Sequence, residues 1–207
     1  MPEASEQASK PSSKRASTRL ALTIRAPRVE DGAAMWSLVH EVGTLDTNSA
    51  YLYLLLADRF ADTCAVAERD GRLVAMLTGF VPPRDPVTYF VWQIGVDPSA
   101  RGEKLASRLI DHVLARHPAV SFLEATVSPS NDASLALFRS FARRRDAPLA
   151  THAGYGAELF PHAPDRSQHD RPPHDRPQHE AEPLLRIGPF ASCRFGAGRQ
   201  AERPAAT

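Results

Sequence analysis

The stretch that most restricts the fold runs from Phe90 to Arg108, FVWQIGVDPSARGEKLASR. Tyr89 to Val96 is an apolar run, β-branched and aromatic, and reads as a buried strand. Asp97-Pro98 ends it, because proline has no N–H to give to a ladder. From Arg101 the pattern turns helical: Leu105, Leu109 and Val113 recur one turn apart, flanked by Ile110 and Leu114. A strand, a tight basic loop and a helix start aim backbone N–H groups at an anion, and the helix dipole also favours negative charge there. A pyrophosphate is the natural guest. The same pattern also suits an amphipathic surface helix behind a basic loop, so one motif does not choose between them.

Composition narrows the alternatives. A chain of 207 residues predicts one domain with tails. The formal net charge of +1 gives no broad field for nucleic acid or a membrane surface. Cys64 and Cys193 set no disulfide framework and no metal spacing, and Cys64 sits in an apolar run that suits a core. No apolar stretch is long enough to span a bilayer. The residues up to Arg19 have no hydrophobic centre of the secretory kind, so the cytoplasm is the expected location. No metal is expected.

Residues 1–18 read as a disordered tail, 19–190 as one domain, and 191–207 as a flexible tail. Within the domain the expected order is β-α-α-β-β-β-α-β-α-β, an α/β fold with a mixed sheet. Leu20 to Arg25 is the first strand. Val29 to Val42 and Tyr51 to Phe60 are helices, with Asn48 and Ser49 as candidate caps of the second. Thr63 to Glu68 and Arg72 to Val81 form a hairpin across Asp70-Gly71. After the central strand and helix come a strand, Phe122 to Val127, and a helix, Ser130 to Arg143. A last short strand holds Leu184, Leu185 and Ile187. About residues 162–180 the composition changes to HDRPPHDRPQH, which reads as a charged, proline-rich extended insert rather than a histidine metal site.

The loop after the central strand resembles the acetyl-CoA segment of the GCN5-related N-acetyltransferases (GNAT), Gln/Arg-x-x-Gly-x-Gly/Ala after Val-Asp-Pro. The chain supplies Arg101 and Ala106 at specified positions and Gly102 at an open one, and Lys104 stands where the pattern has glycine. A second motif, Asn-x-x-Ala/Ser-x-x-x-Tyr, is matched from Asn131 through Ser134 to Phe138. Phe138 replaces a tyrosine that often protonates the leaving thiolate. Four further pieces resemble the L-2,4-diaminobutyrate acetyltransferases of ectoine biosynthesis: LDTNSAY from Leu45, FVWQIGV from Phe90, SNDASLALF from Ser130 and LRIGPF from Leu185. The resemblance implies a GNAT-type, mostly antiparallel sheet with flanking helices. It also implies acetyl-CoA as co-substrate, a small amine as acceptor and a homodimer.

It further implies a set of site residues. Ile94, Gly95, Val96, Arg101, Gly102, Lys104, Ala106, Asn131 and Ser134 would hold the acetyl-CoA, with the amides of Ile94 to Val96 polarising the thioester carbonyl. Asn131 is equally well read as a helix cap. Asp46 and Tyr51 are the candidate catalytic residues, and with Trp92 they would line the amine pocket; apart from the resemblance, Glu182 is a nearby charge that could complete it. By alternation Trp92 shares a face with Phe90, Ile94 and Val96, while Gln93 points the other way. As ordinary structure, Asp46 would be a turn or cap residue, and Tyr51 and Trp92 would be core. Glu158, His179 and Glu180 are alternative charges for the C-terminal side of the pocket. The reaction implied is direct attack of the amine on the thioester. Acetylation of another amine, such as a polyamine, and a degenerate binding module are the competing readings.

Overall fold

The computed structural model describes residues 21–160 and 179–191. Apart from His179, Glu180 and Ala191, the expected tails and the Pro/His-rich insert lie outside the described residues. Seven strands form one sheet in the order β1-β2-β3-β4-β5-β7-β6. The strands are β1 (Leu22–Arg25), β2 (Ala65–Arg69), β3 (Arg72–Phe80), β4 (Thr88–Val96), β5 (Phe122–Thr126), β6 (Leu149–Tyr155) and β7 (Glu182–Ile187). The helices are α1 (Gly32–Val42), α2 (Ala50–Arg59), α3 (Leu105–Arg116) and α4 (Asp132–Arg144). Only β4 and β5 pair in parallel; every other pairing is antiparallel. This is the mixed, mostly antiparallel sheet with flanking helices that the motifs imply.

Local chemistry explains the elements. Asp70 and Gly71 both take positive φ, the geometry of a type I′ hairpin turn, which matches the right-handed twist of β2 and β3. The segment from Val29 begins with a 3-10 turn, and the α-helix proper starts at Gly32. It ends at Gly43, whose left-handed backbone lets its N–H close on Val39 O. Ser49 stands at the N-cap of α2, but its hydroxyl makes no capping bond.

Strand β6 was not expected from the sequence. Its residues LATHAGY carry no alternating apolar face, and six of the seven are exposed. It is an edge strand held by backbone pairing to β7, which follows only after the long insert, so no local pattern marks it. The correct order is therefore β-α-α-β-β-β-α-β-α-β-β.

Two cores sandwich the sheet. On one face α3 and α4 bury Leu105, Leu109, Ile110, Val113, Phe138 and Phe141 against Leu77, Tyr89, Leu123 and Ile187. On the other, α1 and α2 bury Met35, Leu38, Tyr53 and Leu56 against Val66 and Met76. Arg25 ties the first two strands to the turn before α1, bonding Asp31 at 2.5 Å and Glu68 at 2.6 Å.

Helix α3 is entered through Lys104, whose φ of 58° and ψ of 27° lie in the left-handed region. A side chain there is strained by about 1 kcal/mol, and glycine relieves it. Lys104→Gly is expected to raise stability by about 0.5 kcal/mol after the extra freedom of glycine in the unfolded chain is subtracted, as urea unfolding will measure. Leu109 is fully buried in the α3 core, so Leu109→Ala is expected to lower stability by about 3 kcal/mol in the same measurement.

Candidate active site

The site begins with a failure of pairing. Strands β4 and β5 run together only where Thr88–Phe90 lies beside Phe122–Glu124. Beyond that the two strands part. On the opposite edge of β4 the register against β3 shifts: Thr78 pairs with Gln93, but Gly79 pairs with Val91. Trp92 is the extra residue of this bulge, and a bulge bends and twists its strand.

The splay leaves backbone groups of β4 open. Asp97 N–H donates to Val74 O at 2.9 Å, and Gln93 N–H donates to the Thr78 hydroxyl at 3.2 Å, so both face β3. Directions alternate along a strand, so the amides of Ile94 and Val96 face the gap and that of Gly95 faces β3. Of the three amides expected in that role, only those of Ile94 and Val96 face the gap. Gly95 has a different use: a Cβ there would meet Leu45 Cδ1 at 3.1 Å, so the bare backbone admits the loop that carries Asp46.

A cavity of about 210 Å³ occupies the gap. Asp46, Trp92, Ile94, Asn131, Ser134 and Glu182 line it, joined by Gln93, Thr126, Phe138 and His179. These residues come from the α1–α2 loop, β4, β5, α4 and the start of β7. Among the described residues the lining holds the carboxylates of Asp46 and Glu182 and no lysine or arginine. The Thr126 hydroxyl donates to Glu182 at 2.7 Å, and His179 Nε2 stands 3.8 Å from the same carboxylate. His179 is itself stacked on Phe160, ring centroids 3.7 Å apart. Glu180 accepts from Ser130 N–H at the approach to α4, and Glu158 is exposed outside the cavity.

Asn131 is a helix cap that also lines the cavity. Its Oδ1 accepts from Ser134 N–H at 3.1 Å. Phe138 is buried against the cavity and carries no proton to give. Tyr51 departs from its expected place: it is 72% exposed on the first turn of α2 and lines no described cavity.

A second, apolar cavity of about 740 Å³ lies under α2, lined by Leu52, Leu55, Phe60, Phe80, Phe90 and Tyr155 among others. Trp92 and Thr126 line both cavities, so the two meet where β4 and β5 part.

The basic loop lies at the other end of β4. The Asp97 carboxylate receives the Ser99 hydroxyl at 2.5 Å and its N–H at 2.7 Å, and Arg72 at 2.7 Å. The Ser99 bonds hold the Asp97 carboxyl below the usual carboxylate range and so set the turn before Arg101. Gly102 (φ +83°) has open space where a Cβ would stand, and Lys104 continues the left-handed turn. Arg101, Gly102 and Lys104 are exposed, and Ala106 lies in the first turn of α3. The Glu103 carboxylate is paired with Arg69 at 2.5 Å. An open glycine turn with two cations at a helix start fits a pyrophosphate, and the open β4 edge fits an extended amide-bearing arm.

Of the residues the sequence reading did not single out, Gln93 is the most consequential. A polar side chain inside the strand FVWQIGV was its visible signal. Thr126 gave no such signal, because its role depends on β7 lying beside β5. Cys64 is fully buried, and burial pushes its thiol up to about 11, so it offers no thiolate for an acyl-enzyme. Among the described residues no group of three or more His, Cys, Asp and Glu side chains forms a metal-ligand cluster. Among them, too, no helix is long and apolar enough to cross a membrane.

Comparison with known proteins agrees with this geometry. Residues 33–142 match the acetyltransferase (GNAT) family model. The L-2,4-diaminobutyric acid acetyltransferase of Halalkalibacterium halodurans is 45% identical over 170 residues, which is 81% of this chain and 82% of that protein. Its counterpart from Marinococcus halophilus is 44% identical over 166 residues, 79% of this chain and 88% of that one. The structure of diaminobutyrate acetyltransferase EctA from Paenibacillus lautus, in complex with its substrate L-2,4-diaminobutyric acid and coenzyme A, is 40% identical with a TM-score of 0.73. The match covers 83% of this chain and 96% of that one. The chain belongs to the GNAT acetyltransferase family, among the relatives named L-2,4-diaminobutyric acid acetyltransferases.

Proposed function

We propose that the protein transfers the acetyl group of acetyl-CoA to the side-chain amine of L-2,4-diaminobutyrate, forming N4-acetyl-L-2,4-diaminobutyrate for ectoine biosynthesis. The observation that carries this reading is the charge of the cavity between β4 and β5: among the described residues Asp46 and Glu182 line it, and no lysine or arginine does. Such a lining favours a small molecule with two ammonium groups over an anion.

The open edge of β4 does the orienting. Acetyl-CoA supplies an activated acyl group on a thiol leaving group. The amides of Ile94 and Val96 point into the gap, where they can take a carbonyl oxygen as its negative charge grows. Asn131 and Ser134 border the arm, and Arg101, Gly102, Lys104 and Ala106 surround the pyrophosphate. Asp46 holds the ammonium of the acceptor. An alkyl amine resembles lysine, with a pKa near ~10.4, so it must lose a proton before it attacks. Asp46 receives that proton, directly or through one water. The C–N bond forms and the C–S bond breaks; the nitrogen sheds its second proton as the amide forms, and through water that proton reaches the departing thiolate, since Phe138 has none to give. Glu182, positioned by Thr126, holds the second ammonium, and Trp92 walls the short carbon chain. Tyr51 stands at the outer approach.

Kinship with the diaminobutyrate acetyltransferases also supports a homodimer working in the cytoplasm, in compatible-solute synthesis under osmotic stress. The test is thiol release from acetyl-CoA with L-2,4-diaminobutyrate, followed by NMR of the product. The expected product is acetylated on the side-chain nitrogen. Release with putrescine in preference to diaminobutyrate would move the acceptor to polyamines. Asp46→Ala is expected to lower kcat/KM for the amine by roughly 100-fold or more while acetyl-CoA still binds. Near-normal turnover of that variant would remove Asp46 from the mechanism.

A further inference from the structure

We infer that Gln93 is a positioning residue for the acceptor amine: its side-chain amide sets where the Asp46 carboxylate stands. This rests on the proposed role of Asp46 as the ammonium anchor.

Gln93 is only 5% exposed, in the middle of β4. A buried amide must satisfy both of its ends, and here each end meets a different element. Its Oε1 accepts from the hydroxyl of Tyr53, on α2, at 3.0 Å. Its Nε2 donates to the backbone carbonyl of Asp46, on the α1–α2 loop, at 2.9 Å. The Asp46 carbonyl can only accept, so it fixes which end of the amide faces the loop, and the hydroxyl of the fully buried Tyr53 satisfies the other end. The backbone of Gln93 is pinned as well, since the Thr78 hydroxyl bridges its N–H at 3.2 Å and its C=O at 3.4 Å.

The loop around Asp46 is otherwise lightly held. Trp36 Nε1 donates to Asn48 O at 3.2 Å, and the half-buried Asn48 side chain reaches Asp46 O at 3.3 Å. Leu45 leans on Gly95. The Gln93 bond is the shorter of the two on the Asp46 carbonyl and the less exposed to water. The carbonyl and the carboxylate of Asp46 hang from the same Cα, so a shift of one swings the other. A glutamine suits this place where a glutamate does not: a carboxylate accepts from Tyr53 but repels the Asp46 carbonyl.

The test is a double-mutant cycle read by binding. Calorimetry titrates L-2,4-diaminobutyrate into the full-length protein saturated with coenzyme A, for wild type, Gln93→Glu, Tyr53→Phe, Asp46→Ala and the Gln93→Glu/Asp46→Ala pair. Coenzyme A affinity and the melting temperature are measured for each. Gln93→Glu is expected to weaken amine binding about tenfold with coenzyme A affinity unchanged. In the Asp46→Ala background it is expected to add nothing, because the two act as one unit. Tyr53→Phe is expected to weaken amine binding in the same sense, and it carries the comparison if Gln93→Glu does not fold.

The proposal is overturned if Asp46→Ala weakens the amine while Gln93→Glu and Tyr53→Phe bind it as wild type does. Losses from Gln93→Glu and Asp46→Ala that simply add would also overturn it, since Gln93 would then touch the amine on its own. So would an equal fall in amine and coenzyme A affinity, which marks a general structural defect. Normal amine binding by Asp46→Ala overturns the anchor reading itself, and the positioning role with it.

Discussion

The parting of β4 from β5 is the constraint on which the rest of the site depends. Two parallel strands that stayed paired to their ends would satisfy each other's amides and leave no room between them. Here pairing stops at Phe90 and Glu124, and Trp92 bulges on the other edge of β4. The unpaired amides that result would be a liability in a closed core. In this cleft they become donors with a fixed direction and no reorganisation to undergo, which is where electrostatic catalysis is strongest.

Charge is distributed to match. Asp46 and Glu182 line the cleft, while the arginines of this chain that support structure are spent on partners elsewhere. Arg25 bridges Asp31 and Glu68, Arg72 bridges Glu41 and Asp97, and Arg186 bonds Glu124 while lying over the ring of Phe122. The exposed cations Arg101 and Lys104 belong to the loop before α3 instead. One end of β4 is thus suited to phosphates and its middle to ammonium groups. A single strand presents both, as the proposed transfer between two reactants requires.

Much of this was legible in the sequence where hydrophobic period and turn chemistry act locally. The β2–β3 hairpin was marked by Asp70-Gly71, and α3 by its leucine stripe. Asp46, Trp92 and Asn131 were visible as motif residues and Glu182 as one of several candidate charges near the C-terminus, and they share one cavity. Strand β6 was invisible because it buries almost nothing and is held by backbone pairing to a distant partner. Tyr51 was misleading because an N-terminal helix position next to a site residue says nothing of which way the helix turns it.

By itself the sequence determined the strand–loop–helix at Phe90 to Arg108, the order of nearly all elements and the identity of the polar residues brought to the cleft. These follow from patterns spanning a few residues, which the chain writes locally. Only the tertiary structure decided which amides of β4 are open, since that depends on where β5 leaves it. Only the fold, likewise, joined Thr126 to Glu182 and Tyr53 to Gln93 and the Asp46 loop. Those bonds link residues far apart in the chain, and their geometry exists only once both cores have closed on the sheet.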